Sequence, residues 1–383
     1  MRRRVVVIQR TLPHYRVPLF NLLRELLEEQ GIDLELIVGE AAIWESSKND
    51  EGSLPWAKTV KNRYINFGKR HAVWQPVWGL TRGADLVVVE QASRLLINYP
   101  LLFSRRFGGP KIAFWGHGRN LNLASRSRLS ELLKRRLLGM SDWWFAYTAG
   151  TADLLQTAGV SARKITVLQN AIDTKSLAEQ RAAVSADQAE ALRDELGIGV
   201  SAKVGLVLGS IYAEKRPAFV VESADLIRDV VPDFHLIVIG DGPMRSVFDV
   251  AAASRLWIHV VGSKTGPALA GYAAISSVML NPGLVGLSVL DSFALGIPMV
   301  TCALGYHSPE FSYLVHGENG IVIESEAPES RYAAVVVQLL GESETQARLA
   351  ASCLDHAERY SVEAMVERFA IGISRAVTPE STA

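Results

Sequence analysis

Two cysteines in 383 residues, Cys302 and Cys353, are too few for a disulfide framework, and neither has a His or Cys neighbour at metal-ligand spacing. Their scarcity fits a reducing, cytoplasmic compartment. No apolar run approaches the roughly 20 residues of a membrane span, and the opening MRRRVVVIQR lacks the apolar stretch of a signal peptide. The chain contains no Asp-x-Asp, so no metal is expected to bridge a diphosphate. A complete Gly-x-Gly-x-x-Gly after the first strand is missing too, which counts against a nicotinamide-dependent oxidoreductase. Net charge is zero, with 40 Lys and Arg against 40 Asp and Glu. The balance is uneven along the chain: residues 1–170 carry 25 basic against 14 acidic side chains, the remainder 15 against 26. A basic half suits nucleic acid, a membrane surface or an anionic substrate.

What is present describes a globular α/β protein, with 49% apolar and 21% charged residues. The length exceeds the point at which a single core stops growing, so two domains are expected. Strands and helices alternate twice over, which predicts parallel sheets with helices on both faces. In the first half the strands fall at Arg4–Ile8, Asp33–Val38, Asp85–Val89, Lys111–Trp115, Trp143–Ala146 and Ile165–Leu168. Residues 40–72 show no period and read as a loop excursion. The second half repeats the pattern from Val204–Leu208 through His235–Ile239, Ile258–Val261 and Ser277–Leu280 to Met299–Cys302 and Gly320–Ile323. The boundaries that follow are 1–172, a linker with one polar helix over 173–203, a second domain over 204–360, and a closing helix and tail over 361–383 that packs back on the first domain.

Ligands of such sheets bind beyond the carboxyl ends of the strands, so the residues after each strand are the candidates. Asn281-Pro282-Gly283 breaks one strand, Gly286 and Leu287 open a short helix, and Asp291 falls within it. The first amides of a helix lack intrahelical acceptors and lie at the positive end of its dipole, where a diphosphate is a natural occupant. Asp291 would then accept from ribose hydroxyls. The plainer reading makes Gly283 and Gly286 turn residues and Asp291 a solvated one. Ser210, Lys215 and Arg216 follow Val204–Leu208, offering two cations to the same anion. Gly240-Asp241-Gly242 half-matches a dinucleotide turn. Gly262 and Lys264 follow Ile258–Val261 and suit a nucleoside base. His117, between two glycines, is accessible after Lys111–Trp115. His14 and Arg16 follow the first strand and face either an acceptor or the start of a helix. The segment Leu123–Met140, with Arg126, Arg128, Lys134 and Arg135 around a leucine stripe, reads as a helix that lies on anionic lipid or simply solvates its basic face.

These stretches, taken in order, resemble the retaining glycosyltransferases of family 4. VLQNAIDT is similar to the family's interdomain PNGID stretch, GSIYAEKRP to its GRLxxEKG loop, NPGLVGLSVLD to its Glu-x7-Glu element, and HGENGIVI to its DGxNGLLV. The resemblance covers most of the chain and implies the GT-B fold, two Rossmann-like domains facing across a cleft. It implies that Lys215 binds the donor diphosphate, Asp291 the ribose, and that His117 lies beside the transferred sugar. The donor is then a nucleotide-sugar, the acceptor a glycan or lipid-linked glycan, and an anionic membrane surface a partner on the inner face. Neither nucleic acid nor a separate cofactor is implied. Two departures stand out: Gly283 occupies the place of the first Glu, and Ser210 that of a diphosphate-binding Arg, for which Arg216 is the nearest substitute. They leave open a catalytically weakened sugar-nucleotide or glycan-binding protein.

Overall fold

The computed structural model describes residues 2–42, 51–68, 70–118 and 139–378. The chain divides into two compact units, one formed by the first 172 residues with Val362 onward, the other by Asp173–Ser361.

In the first unit the strands are β1 (Arg3–Gln9), β2 (Ile32–Gly39), β3 (Lys58–Val60), β4 (Arg63–Phe67), β5 (Arg70–Trp74), β6 (Leu86–Glu90), β7 (Lys111–Gly116), β8 (Trp143–Ala146) and β9 (Ile165–Val167). Seven of them form one sheet in the order β3-β2-β1-β6-β7-β8-β9, and every pairing in it is parallel. The apolar runs explain why. Val5 to Ile8 and Leu86 to Val89 are buried on both faces, as a parallel sheet clad in helices requires. Helix Val17–Glu29 turns Leu19, Phe20, Leu23 and Leu27 inward and packs along the closing helix Val362–Val377. The stretch 40–72, read from sequence as a loop, contains β3 and most of the antiparallel β4–β5 hairpin. An edge strand of three residues and a two-stranded ribbon carry too little apolar alternation to announce themselves.

The second unit is a six-stranded sheet of β10 (Val204–Leu208), β11 (His235–Ile239), β12 (Ile258–Gly262), β13 (Val278–Leu280), β14 (Met299–Cys302) and β15 (Gly320–Ile323), ordered β12-β11-β10-β13-β14-β15. All its pairings are parallel. Its core gathers Leu236, Val238, Leu280, Val300, Phe219 and Tyr332, and the Tyr332 hydroxyl donates to the Val300 carbonyl at 2.7 Å. The polar stretch read as linker builds two helices of this unit, Thr174–Ala182 and Ala186–Leu196. Asp173 caps the first, and Ser185 with Gln188 forms a capping box on the second. The strand order reverses between β10 and β13, where loops leave in opposite directions and open a crevice.

Candidate functional site

The two loops flanking that reversal are the ones the sequence singled out for phosphate chemistry. After β10 the chain makes a short 3-10 turn, Ala213–Lys215, and Pro217 starts helix Pro217–Val230. After β13 it passes Gly283 and Gly286 into helix Ser288–Leu295. The loops are joined directly: the Leu284 amide donates to the Glu214 carbonyl at 2.8 Å. Every residue of helix Ser288–Leu295 is buried except Asp291, which lies half-buried in its first turn.

Lys215 projects into this junction. Its ammonium lies 3.5 Å from the Ser288 hydroxyl, and that hydroxyl accepts from the Asn281 side chain at 3.3 Å. Lys215 keeps some solvent exposure, yet burial pushes its pKa down to about 8, partly opposed by the Asp291 carboxylate. Cation, hydroxyl and helix start together form a small cationic cradle that a diphosphate would fill.

Arg216 is employed differently. It takes a left-handed conformation, φ 57° and ψ 53°, at the position where the motif GRLxxEKG has glycine. Its Nη1 donates to the Pro282 carbonyl at 3.4 Å, and its guanidinium carbon lies 3.9 Å from the centre of the Phe219 ring. The side chain thus clamps one loop to the other, and these contacts hold a backbone that costs of order 1 kcal/mol or more in a non-glycine residue. Ser210 is exposed.

Gly283 is tightly enclosed. A Cβ built there would collide with the backbone of Glu214 and Lys215, so the position that holds a carboxylate in the Glu-x7-Glu element is filled by the neighbouring loop. The glycines after β11 also serve packing: a Cβ on Gly240 would strike the Gly209 carbonyl, and one on Gly242 that of Ile211. They let the turn after β11 support the loop after β10, where the Ile211 amide donates to the Asp241 carbonyl at 2.8 Å and the Met244 amide to the Ile211 carbonyl at 3.1 Å. Gly262 ends β12 and Lys264 lies just beyond it, two strands away from β10.

One residue was not visible from sequence. His307 is buried, its Nδ1 accepting from the Val285 amide at 3.0 Å and its Nε2 lying 2.7 Å from the Cys302 carbonyl. The Leu304 amide also reaches Nε2 at 3.0 Å, and the ring stacks on Phe311 with centroids 3.9 Å apart. His307 therefore ties the loop after β13 to that after β14. No spacing rule connects it with a partner on the loop after β13.

In the first unit His117 follows β7, partly buried, with its ring edge against Tyr147 at 6.0 Å and 81°. The Thr151 hydroxyl donates to the His117 carbonyl at 3.3 Å. His14 is exposed. Arg16 is buried, its Nη2 donating to the Tyr147 hydroxyl at 2.7 Å. The cationic segment proposed for a lipid surface lies outside the described residues up to position 138.

Parallel sheets in both units, with the strand order of the second reversing at its candidate site, define a GT-B glycosyltransferase fold. The glycosyltransferase from Rickettsia africae is similar over 99% of this chain and 100% of its own, with TM-score 0.72 and 12% identity. Anabaena HepE in complex with UDP-glucose is similar over 97% of this chain and 99% of its own, with TM-score 0.69 and 13% identity. In sequence, residues 202–342 match the family model of Glycosyl transferases group 1. The alpha-monoglucosyldiacylglycerol synthase of Acholeplasma laidlawii is 26% identical over 164 residues, which cover 41% of this chain and 40% of that enzyme. The D-inositol 3-phosphate glycosyltransferase of Thermobispora bispora is 27% identical over 195 residues, 47% of this chain and 45% of its own. The chain thus spans less than half the length of these curated relatives.

Proposed function

We propose that the protein is a retaining glycosyltransferase that moves a sugar from a nucleotide-sugar to a glycan or lipid-linked acceptor, without metal or separate cofactor. The observation that carries this reading is the convergence of Lys215, Ser288 and Asp291 at the strand-order reversal. Departure of the nucleoside diphosphate builds negative charge on the leaving oxygens, and a cation beside the positive end of a helix stabilises that charge as it forms. Asp291 holds the ribose, Gly262 and Lys264 lie toward the base, and His117 acts beside the transferred sugar. The Anabaena neighbour's complex with UDP-glucose supports a donor of this class.

A lipid-borne acceptor is supported by the Acholeplasma relative, whose name describes a glucosyldiacylglycerol product, and by the cation excess of residues 1–170. Among the described residues no helix is long and apolar enough to cross a membrane, so a surface attachment through cations is the form proposed, at about 1 kcal/mol per basic residue. Co-sedimentation with anionic but not neutral vesicles at low salt tests it; equal recovery with both overturns it. The enclosed Gly283 keeps the second reading in play, a sugar-nucleotide-binding protein with weakened catalysis.

The main test is a panel of UDP-, GDP- and dTDP-sugars. The matching donor at about 100 times its dissociation constant adds roughly 2.7 kcal/mol to stability, and its consumption in the presence of acceptor separates enzyme from binder. Absence of stabilisation by every nucleotide-sugar would sink both readings.

A further inference from the structure

Arg16 is a cation kept almost out of water, 6% exposed. Its Nη2 donates to the Tyr147 hydroxyl, its guanidinium carbon lies 4.1 Å from the centre of the Trp115 ring, and its Nη1 has no hydrogen-bond partner. Desolvating a guanidinium costs several kcal/mol, and an unmatched N–H adds to that. An apolar side chain would fill the same space at lower cost, so the arrangement points to a task beyond packing.

The phenol that Arg16 grips is the one standing against His117. Tyr147 follows β8 directly, and its main chain is fixed at both polar groups: the amide donates to the Gly116 carbonyl at 3.2 Å, and the carbonyl accepts from the Asn170 amide at 2.8 Å. Its backbone and its hydroxyl are thus held at opposite ends of the ring. His117 is held at its carbonyl by Thr151, itself in the first turn of helix Ala149–Thr157 capped by Thr148. Charge-assisted hydrogen bonds are about twice as strong as neutral ones. The guanidinium stays charged: burial favours loss of the proton, but Tyr147, Tyr15 and Glu90 outweigh it.

We propose that Arg16 and Tyr147 are positioning residues for His117, the cation locking the phenol and the phenol ring fixing the orientation of the imidazole. This rests on the reading that His117 acts beside the transferred sugar. It gives Arg16 an indirect part in place of direct contact with an acceptor.

The test uses Tyr147→Phe, which keeps the ring and removes only the hydroxyl, together with Arg16→Lys, which keeps the charge and removes the planar fork. Nitrogen and carbon resonances of the His117 imidazole, assigned by their loss in His117→Ala, report ring orientation and tautomer. Both variants should shift those resonances and lower kcat by about tenfold or more, since misplacement by an ångström costs up to ~100-fold. Donor KM and nucleoside diphosphate affinity should stay within about twofold of the wild-type values. A role in folding alone would lower the melting temperature and leave the resonances and kcat of the folded protein in place. Should Arg16→Lys fail to fold, Tyr147→Phe decides the matter. Unmoved resonances and unchanged kcat in Tyr147→Phe, beside an inactive His117→Ala, would overturn the positioning alone. Wild-type turnover by His117→Ala would overturn the reading of His117, and the proposal with it.

Discussion

A side chain on Gly283 would collide with the backbone of Lys215. The residue that departs from the Glu-x7-Glu element thus packs on the backbone of the residue whose ammonium enters the crevice. The missing carboxylate is replaced by backbone, which also sets how deep Lys215 can lie.

Restoring the motif should therefore do harm. Gly283→Glu is expected to destabilise the second unit by about 1–3 kcal/mol through overpacking, and to weaken donor binding by displacing Lys215. Thermal melting and donor KM check both. A stable variant with improved turnover would mean that the two loops separate readily.

Lys215→Ala should lose about 1.5–3 kcal/mol of affinity for a nucleoside diphosphate and none for the free nucleoside, because the contact is a charge-assisted one to phosphate. The pH dependence has a definite sign. The folded pKa of Lys215 is lowered to about 8, below the ordinary lysine value near 10.4, so between those values the unfolded chain holds more protons and the contribution of Lys215 to stability rises with pH. Diphosphate binding should favour the charged form and take up a proton above pH ~8. Calorimetry in buffers of different ionisation enthalpy measures that uptake, and its absence in Lys215→Ala assigns it.

Asp291→Ala should weaken the nucleotide as a whole, by about 1.5–3 kcal/mol, since the proposed contact is to ribose. It should also lower the Lys215 pKa further, because the Asp291 carboxylate is what opposes the effect of burial. Unchanged affinity for the nucleoside diphosphate would remove Asp291 from the site.

His307→Leu leaves the buried Val285 amide without its acceptor. An unsatisfied buried donor costs about 1–3 kcal/mol, and the loop that carries Gly286 should loosen. Faster amide hydrogen exchange at Val285 to Ser288 is the expected signature. If exchange there is unchanged, the tie to Cys302 is not what holds the loop.

Much of this molecule was legible before any coordinates. Apolar runs such as Val5–Ile8 and Leu236–Ile239 carry their own burial, and a strand buried on both faces has few other ways to exist, so the alternation of the two sheets followed from sequence. The glycines and helix starts after β10 and β13 marked their loops as candidates because backbone geometry after a strand is a local property. The pairing of those loops was a matter of tertiary structure. Strand order brings Lys215 to Ser288 across 73 residues of chain, and no periodicity encodes which strands become neighbours. The same holds for the roles of individual cations. Lys215 and Arg216 are adjacent in sequence, yet one ammonium enters the crevice while the other side chain, on a left-handed backbone, turns back over Phe219. Arg16 read from sequence as facing either an acceptor or the start of a helix, and packing against Trp115 and Tyr147 made it a buried cation. Composition and spacing decide which residues are available; the direction a side chain takes depends on long-range packing, and that decided which of these charges enters the crevice and which is buried elsewhere.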